Sequence, residues 1–173
     1  NRNQHRKGID QTLLSFIEYK KMNPDSYLYL HMHPNDPMGW DIRALMLSTD
    51  LREGRDYGFP PAHIVHVPLS SRSGVEGGQE VEDYQCDEAT LNKIYNACDV
   101  YLTTTRGEGW GLSVVEAMAC RLPVICPPNT SLFEISDNGK RAYLLEGQYA
   151  MASEKDNIFR GQVDPHEVAG MLN

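Results

Sequence analysis

The sequence predicts an α/β fold: a doubly wound parallel sheet in a single domain that covers residues 1–173. Short apolar runs alternate with amphipathic stretches along the whole chain, which is the pattern of alternating strands and helices. At 99–120 a strand, a glycine turn and a helix follow one another directly. No internal repeat or second domain interrupts the pattern, and 173 residues are enough to bury a substantial core.

The first half of the chain predicts helices where apolar residues recur at helical spacing, and strands where a short apolar run ends in turn residues. Ile9, Leu13 and Phe16 show the first pattern, and the run YLYLHMH shows the second. The predicted elements are a helix from Ile9 to the break at Asn23-Pro24, a strand at 27–33, a helix from Trp40 to about Leu51, a strand at 63–69 and a surface loop at 70–85.

The second half alternates in the same way. Asp87 is a capping residue for a helix that places Leu91, Ile94, Tyr95 and Cys98 on one face. The predicted elements are helices at 87–98 and 112–120, strands at 99–105, 123–127 and 141–145, a helical turn at 131–136, and a last helix in DPHEVAGMLN. Ligands of doubly wound sheets bind beyond the carboxyl ends of the strands, so a site is expected in the loops there.

Composition excludes several classes of protein. The formal net charge of −8 argues against non-specific nucleic-acid binding, which requires a basic surface. No apolar run reaches the roughly 18 residues of a membrane span, and the first residues lack the apolar core of a signal peptide. The chain begins in a loop and ends within a predicted helix, so we expect a fragment of a larger protein.

The cysteines predict a reducing compartment. They are Cys86, Cys98, Cys120 and Cys126. They form no CxxC pair, and three of them lie in apolar segments, which is typical of reduced cysteines in a core. We therefore expect a cytoplasmic protein.

The segment TTTRGEGWGLSVVEAMACRLPVI combines a strand end, a turn with Gly107, Gly109 and Gly111, and a helix. Glycines let a backbone approach a ligand closely, and the first turn of a helix offers unpaired N–H groups and positive partial charge. These features suit a diphosphate, although many α/β proteins contain glycine turns.

Two carboxylates make this segment more specific. Glu108 lies within the turn, and Glu116 lies eight residues later in the helix. A carboxylate is a poor partner for a phosphate but a strong acceptor for hydroxyl groups. A diphosphate with a polyol on either side fits this layout, and a nucleotide-sugar has that form.

These residues resemble the E-x7-E motif of retaining glycosyltransferases with the GT-B fold (group 1, family 4-like), commonly written EGFGL…EAMACG.PVI. The matching residues are Glu108-Gly109-Trp110-Gly111-Leu112, Glu116-Ala117-Met118-Ala119-Cys120 and Pro123-Val124-Ile125. NACDVYLTTT and the opening RNQHRKG are similar to two further elements of the family. The resemblance covers nearly the whole chain and is specific for the superfamily rather than for one enzyme. Trp110 replaces the usual Phe, and Arg121 stands where Gly is frequent.

The resemblance implies a Rossmann-like carboxyl-terminal half of a GT-B enzyme that holds the donor, whereas a missing amino-terminal domain holds the acceptor. Glu108 would hold the donor sugar and Glu116 the ribose. Lys7 and Arg2 would join Glu108 as catalytic residues, because cations stabilise the departing nucleoside diphosphate. Further donor contacts would come from Gly109, Trp110, Gly111 and Leu112. The donor would be UDP- or GDP-linked, with no metal or other cofactor.

Simpler interpretations stay open for several of these residues. Glu108 and Glu116 are alternatively charges at a solvated helix end, and Arg6 competes with Arg2 for the cationic role. Tyr95 is expected to pack in the core, with stacking on a base as the alternative.

The leading function is the retaining transfer of a hexosyl group from a nucleoside-diphosphate sugar. The alternative is a non-catalytic, Rossmann-like nucleotide-binding module, against which the presence of both glutamates argues. A dinucleotide-dependent oxidoreductase is a third class. It is disfavoured because no G-x-G-x-x-G follows a strand with an acidic residue about 20 positions on.

Overall fold

The computed structural model describes residues 2–60, 66–68, 82–84, 86–146, 148–152 and 159–173. A 3-10 turn at His5–Lys7 precedes the first helix. The helices are α1 (Ile9–Met22), α2 (Ile42–Leu47), α3 (Glu88–Asn96), α4 (Leu112–Ala119), α5 (Ser131–Ile135) and α6 (Pro165–Leu172). The strands are β1 (Leu28–Tyr29), β2 (Tyr57–Gly58), β3 (His66–Pro68), β4 (Glu82–Tyr84), β5 (Tyr101–Leu102), β6 (Val124–Cys126), β7 (Tyr143–Leu144), β8 (Gln148–Ala152) and β9 (Phe159–Val163).

The centre of the fold is a parallel sheet of three strands in the order β5-β6-β7. Tyr101 of β5 is opposite Val124 of β6, and Ile125 of β6 is opposite Tyr143 of β7. The helices α4 and α5 connect these strands, as parallel pairing requires. β1 and β2 form a second parallel pair. The predicted α/β fold with parallel sheets is therefore confirmed.

Strand β6 is buried on both of its faces. Val124 and Cys126 belong to one apolar cluster with Val114 and Ala117 of α4, whereas Ile125 belongs to another. The second cluster joins Ile125 to Leu145, Val163 and Val168, which bring in β9 and α6. Coverage of a parallel strand on both faces is what a doubly wound sheet requires.

The first helix has a separate apolar cluster. Ile9 and Leu13 of α1 are buried against Leu30 and Met32, which follow β1, and against Ile42 of α2. The predicted helix over this segment is thus confirmed, and it ends at Met22, directly before the Asn23-Pro24 break. This packing fixes α1, and with it the 3-10 turn at its amino end.

Two antiparallel pairs, β3–β4 and β8–β9, are not predicted from the sequence. β4 falls within the stretch predicted as a surface loop, 70–85, and the rest of that stretch lies outside the described residues. The strands β8 and β9 read QYAMA and FRGQV. These runs mix polar and apolar residues without strict alternation, so periodicity does not mark them as strands.

Helix α2 ends at Leu47, before the predicted end near Leu51. The hydroxyl groups of Ser48 and Thr49 donate to the carbonyl oxygens of Leu45 and Met46, each at 2.8 Å. These local bonds compete with the helical ladder and favour its termination. In the described residues, no helix has the length and apolar character needed to cross a membrane.

Candidate functional site

The amino end of α1 packs against the residues that follow β5. Thr104 Oγ1 donates to the carbonyl oxygen of Gly8 at 2.6 Å, and the backbone N–H of Arg106 donates to the carbonyl of Arg6 at 2.8 Å. Gly8 has a φ of 65°, and a Cβ there would lie 2.1 Å from the carbonyl oxygen of Thr104. Because only glycine allows this approach, Gly8 brings Lys7 next to the glycine turn.

Lys7 and Glu108 form a close ion pair. Lys7 Nζ donates to Glu108 Oε1 at 2.6 Å, and each side chain is only 11% exposed. Arg6 Nη1 donates to the carbonyl oxygen of Gly107 at 3.0 Å and lies 3.5 Å from Glu108 Oε2. Two cations therefore face the carboxylate of Glu108 and offset its negative charge.

Glu116 lies in the second turn of α4, the helix that begins after Gly111. Its Oε2 accepts a hydrogen bond of 2.9 Å from the hydroxyl of Tyr95, which also lies 3.2 Å from the carbonyl oxygen of Ser113. Burial, and then the bond to Glu116, raise the pKa of Tyr95, so its phenol is a neutral donor. Tyr95 is buried in the core, as predicted, and orients Glu116.

Both glutamates line one open cleft of about 360 Å³. The lining residues are Lys7, Glu108, Trp110, Gly111, Leu112, Ser113 and Glu116. Six of the eight residues predicted for the donor site therefore meet in one place. Trp110 and Leu112 are 62% and 67% exposed, and they give the cleft an apolar part beside its charged groups.

The other two predicted residues lie outside this lining. Arg2 Nε donates to Oδ2 of the buried Asp36 at 2.8 Å. Gly109 is exposed and lines a neighbouring groove, which shares Trp110 with the cleft. The roles of Arg2 and Gly109 in donor binding stay predictions, and Arg6, the alternative cation, lies beside the turn.

Sequence reasoning missed the contribution of the segment after β6. Asn129, Thr130 and Ser131 all form hydrogen bonds to the turn around Glu108. Sequence reasoning also missed the hydrogen bond by which Tyr95, predicted to pack in the core, holds Glu116. Two signs of the first contribution are in the sequence: loops at the carboxyl ends of parallel strands form ligand sites, and the resemblance to the family extends into residues 129–134.

The cleft has the chemistry to bind an anion that is flanked by hydroxyl groups. The ammonium of Lys7 has three N–H donors, and Glu108 takes one of them. The first N–H groups of a helix point away from its ladder and attract anions, and α4 begins at this cleft. The carboxylates of Glu108 and Glu116 can accept hydrogen bonds from hydroxyl groups on either side.

Comparison with known proteins identifies a family. The family described as "Glycosyl transferases group 1" matches residues 62–158, more than half of the chain. "Probable sucrose-phosphate synthase" of Thermosipho melanesiensis is 40% identical over 75 residues, which cover 39% of this chain and 18% of that protein. The "UDP-N-acetylglucosamine--peptide N-acetylglucosaminyltransferase GtfA subunit" of Streptococcus pneumoniae is 32% identical over 83 residues, which cover 46% and 15%. The chain thus spans less than a fifth of the length of these relatives.

A solved structure has the same fold. The carboxyl-terminal domain of a glycosyl transferase group 1 family protein, LpcC, from Francisella tularensis superposes with a TM-score of 0.58 at 21% sequence identity. The match covers 84% of this chain and 64% of that one. Together, the family match and this fold show that the chain belongs to the group 1 glycosyltransferases and is similar to their carboxyl-terminal domain.

Proposed function

We propose that this domain binds a nucleoside-diphosphate sugar, and that the whole protein transfers the hexosyl group to an acceptor with retention of anomeric configuration. The observation that carries the proposal is the single cleft lined by Lys7, Glu108 and Glu116. A cation and the start of a helix lie in the same cleft as two carboxylates, which suits a diphosphate with a polyol at each end.

The two carboxylates have different partners in the proposed complex. Glu116, already oriented by Tyr95, accepts hydrogen bonds from the ribose hydroxyls. Glu108 accepts hydrogen bonds from the hydroxyls of the donor sugar, at the end of the cleft where Lys7 lies. Each bond from a hydroxyl to a carboxylate contributes about 1.5–3 kcal/mol, enough for the pair to determine where the donor sits.

Lys7 stabilises the leaving group in this proposal. Negative charge builds on the nucleoside diphosphate as the glycosidic bond breaks, and a cation placed there beforehand lowers the barrier. Because an ammonium has three N–H donors, Lys7 can bind Glu108 and a phosphate oxygen at the same time. Arg2 is the second predicted cation, and Arg6 is the alternative because it already contacts Gly107.

In this proposal, the acceptor binds to another part of the whole protein. We expect the 173 residues alone to bind nucleotide weakly and to transfer no sugar, because the resemblance implies that a separate amino-terminal domain binds the acceptor. The name of the Streptococcus pneumoniae relative includes a UDP-linked sugar, so UDP donors are tested before GDP donors. A cytoplasmic setting stays a prediction from the cysteine pattern.

The proposal is tested by calorimetric titration of the full-length protein with UDP, GDP and NADH. We expect one nucleoside diphosphate to bind and NADH not to bind. Incubation with the corresponding nucleotide-sugar and an acceptor, followed by NMR of the product, should show the anomeric configuration of the donor.

Two results would contradict the proposal. Binding of NADH in preference to both nucleoside diphosphates would indicate a redox domain. Nucleoside diphosphate binding with no transfer to any acceptor and no hydrolysis of the donor would indicate a binding module. Transfer catalysed by the 173 residues alone would refute a narrower prediction, that a separate domain binds the acceptor.

A further inference from the structure

Three consecutive polar residues after β6 hold the turn that contains Glu108. Asn129 Nδ2 donates to the carbonyl oxygen of Thr105 at 2.8 Å. The backbone N–H of Glu108 donates to Thr130 Oγ1 at 2.9 Å, and Ser131 Oγ donates to the carbonyl oxygen of Glu108 at 3.2 Å. Side chains, rather than a helix or a strand, therefore fix the peptide groups on both sides of Glu108.

Thr130 adopts a backbone conformation that its side chain disfavours. Its φ is 49° and its ψ is −132°, outside the regions that β-branched residues normally occupy. The residue is exposed, so burial of its own side chain does not impose this conformation. Strain of this kind persists where the surrounding contacts determine the backbone, which is common at functional sites.

Thr130 also forgoes the bond that threonine usually makes at its position. It is the N-cap residue of α5, where a threonine hydroxyl normally accepts a hydrogen bond from the first turn of its own helix. No such bond forms here. The hydroxyl accepts the N–H of Glu108 instead. Thr130 therefore holds the backbone of Glu108 and leaves the first turn of α5 without a side-chain cap.

We infer that Thr130 is a positioning residue of the donor site: by accepting the N–H of Glu108, it sets how that carboxylate enters the cleft. This inference rests on the proposed function, in which Glu108 holds the donor sugar. Glu116 is held separately, by Tyr95. Thr130 therefore contributes to the affinity for the sugar part of the donor and not to the affinity for the nucleoside diphosphate.

The test compares variants of the full-length protein by calorimetric titration with UDP, UDP-glucose, GDP and GDP-mannose. Thr130→Ala removes the hydroxyl, Thr130→Ser keeps it, and Thr130→Gly removes it while accepting the positive φ without strain. Ser48→Ala is the control, since Ser48 makes one exposed hydrogen bond at the end of α2. Thermal denaturation of each variant reports on folding.

We expect Thr130→Ala and Thr130→Gly to weaken binding of the nucleotide-sugar about fivefold, as for the loss of one neutral hydrogen bond. Their affinity for the free nucleoside diphosphate should stay within about twofold of wild type. Thr130→Ser and Ser48→Ala should match wild type with both ligands. A purely structural role would instead weaken both ligands in parallel with a lower melting temperature.

The inference is overturned if Thr130→Ala or Thr130→Gly binds the nucleotide-sugar like wild type, or weakens both ligands equally. It is also overturned if Thr130→Ser behaves like Thr130→Ala. A wild-type protein that binds none of the four ligands would overturn the proposed function, and this inference with it. Normal wild-type binding with unaffected variants would overturn the inference alone.

Discussion

The two carboxylates of the cleft are held in opposite ways. Glu108 lies on an irregular turn and forms an ion pair of 2.6 Å with Lys7, which lies 101 positions earlier in the chain. Glu116 lies on a regular helix and accepts a hydrogen bond of 2.9 Å from Tyr95, a neutral residue of the core. One carboxylate is engaged with a cation, and the other is oriented by a buried hydroxyl.

This difference bears on how a ligand enters the site. A diphosphate that binds Lys7 shares the ammonium with Glu108, so binding adds a second anion to the contacts on that side of the cleft. The bond between Tyr95 and Glu116 involves no ligand-binding cation, so it can persist when a ribose binds. We therefore expect the Glu116 side to be preformed and the Glu108 side to depend on its charges.

The largest effect is expected from Lys7→Ala, which removes the ion pair that holds Glu108. It leaves the mostly buried Glu108 without its nearest cation and should lower the free energy of unfolding by about 2 kcal/mol, as for the loss of one hydrogen bond between charged groups. Binding of the preferred nucleoside diphosphate should weaken by about tenfold or more, because a charge-assisted contact is lost. Thermal denaturation and calorimetry measure the two effects.

Two further variants sharpen this prediction. The double variant Lys7→Ala with Glu108→Gln should recover much of the stability, because it removes the unpaired carboxylate, yet it should not recover binding. Lys21→Ala is the control, since its ion pair with Glu18 is exposed and distant from the cleft. Equal melting temperatures for Lys7→Ala and Lys21→Ala would show that the Lys7–Glu108 pair does not stabilise the fold.

A smaller effect is expected from Tyr95→Phe, which removes the neutral hydrogen-bond donor that orients Glu116. The change keeps the buried ring and removes the donor to Glu116, so nucleoside diphosphate affinity should fall about fivefold. Tyr101→Phe is a matched control, because its hydroxyl donates to Ser113 Oγ at 2.7 Å and not to a carboxylate. If both variants bind alike in calorimetry, the orienting role of Tyr95 is wrong.

Much of the site follows from local sequence pattern. The glycine turn, its two glutamates and the following helix lie within one strand–turn–helix unit, so spacing alone predicts that Glu108 and Glu116 share a cleft. Lys7 also meets them, although its proximity to Glu108 depends on Gly8 packing against Thr104. The resemblance to a known family predicts Lys7 at the donor site, which spacing could not, but it does not predict the ion pair with Glu108.

The remaining parts depend on tertiary structure that no local pattern records. Tyr95 has the spacing of an ordinary core residue of α3, and only the packing of α3 against α4 shows its hydroxyl at Glu116. Thr130 has a positive φ that its type disfavours, so propensity argues against its conformation. The antiparallel pair β8–β9 lacks the alternation that marks a strand.

The most direct test of the account compares Glu116→Ala and Glu108→Ala by calorimetric titration of the full-length protein with UDP, GDP and their hexose conjugates. Glu116→Ala should weaken nucleoside diphosphate binding by about tenfold or more, as for the loss of a bond to a charged acceptor. Glu108→Ala should leave that affinity undiminished and remove the extra affinity for the attached sugar. Unchanged affinity of Glu116→Ala for both UDP and GDP would contradict the assignment of one carboxylate to each end of the donor.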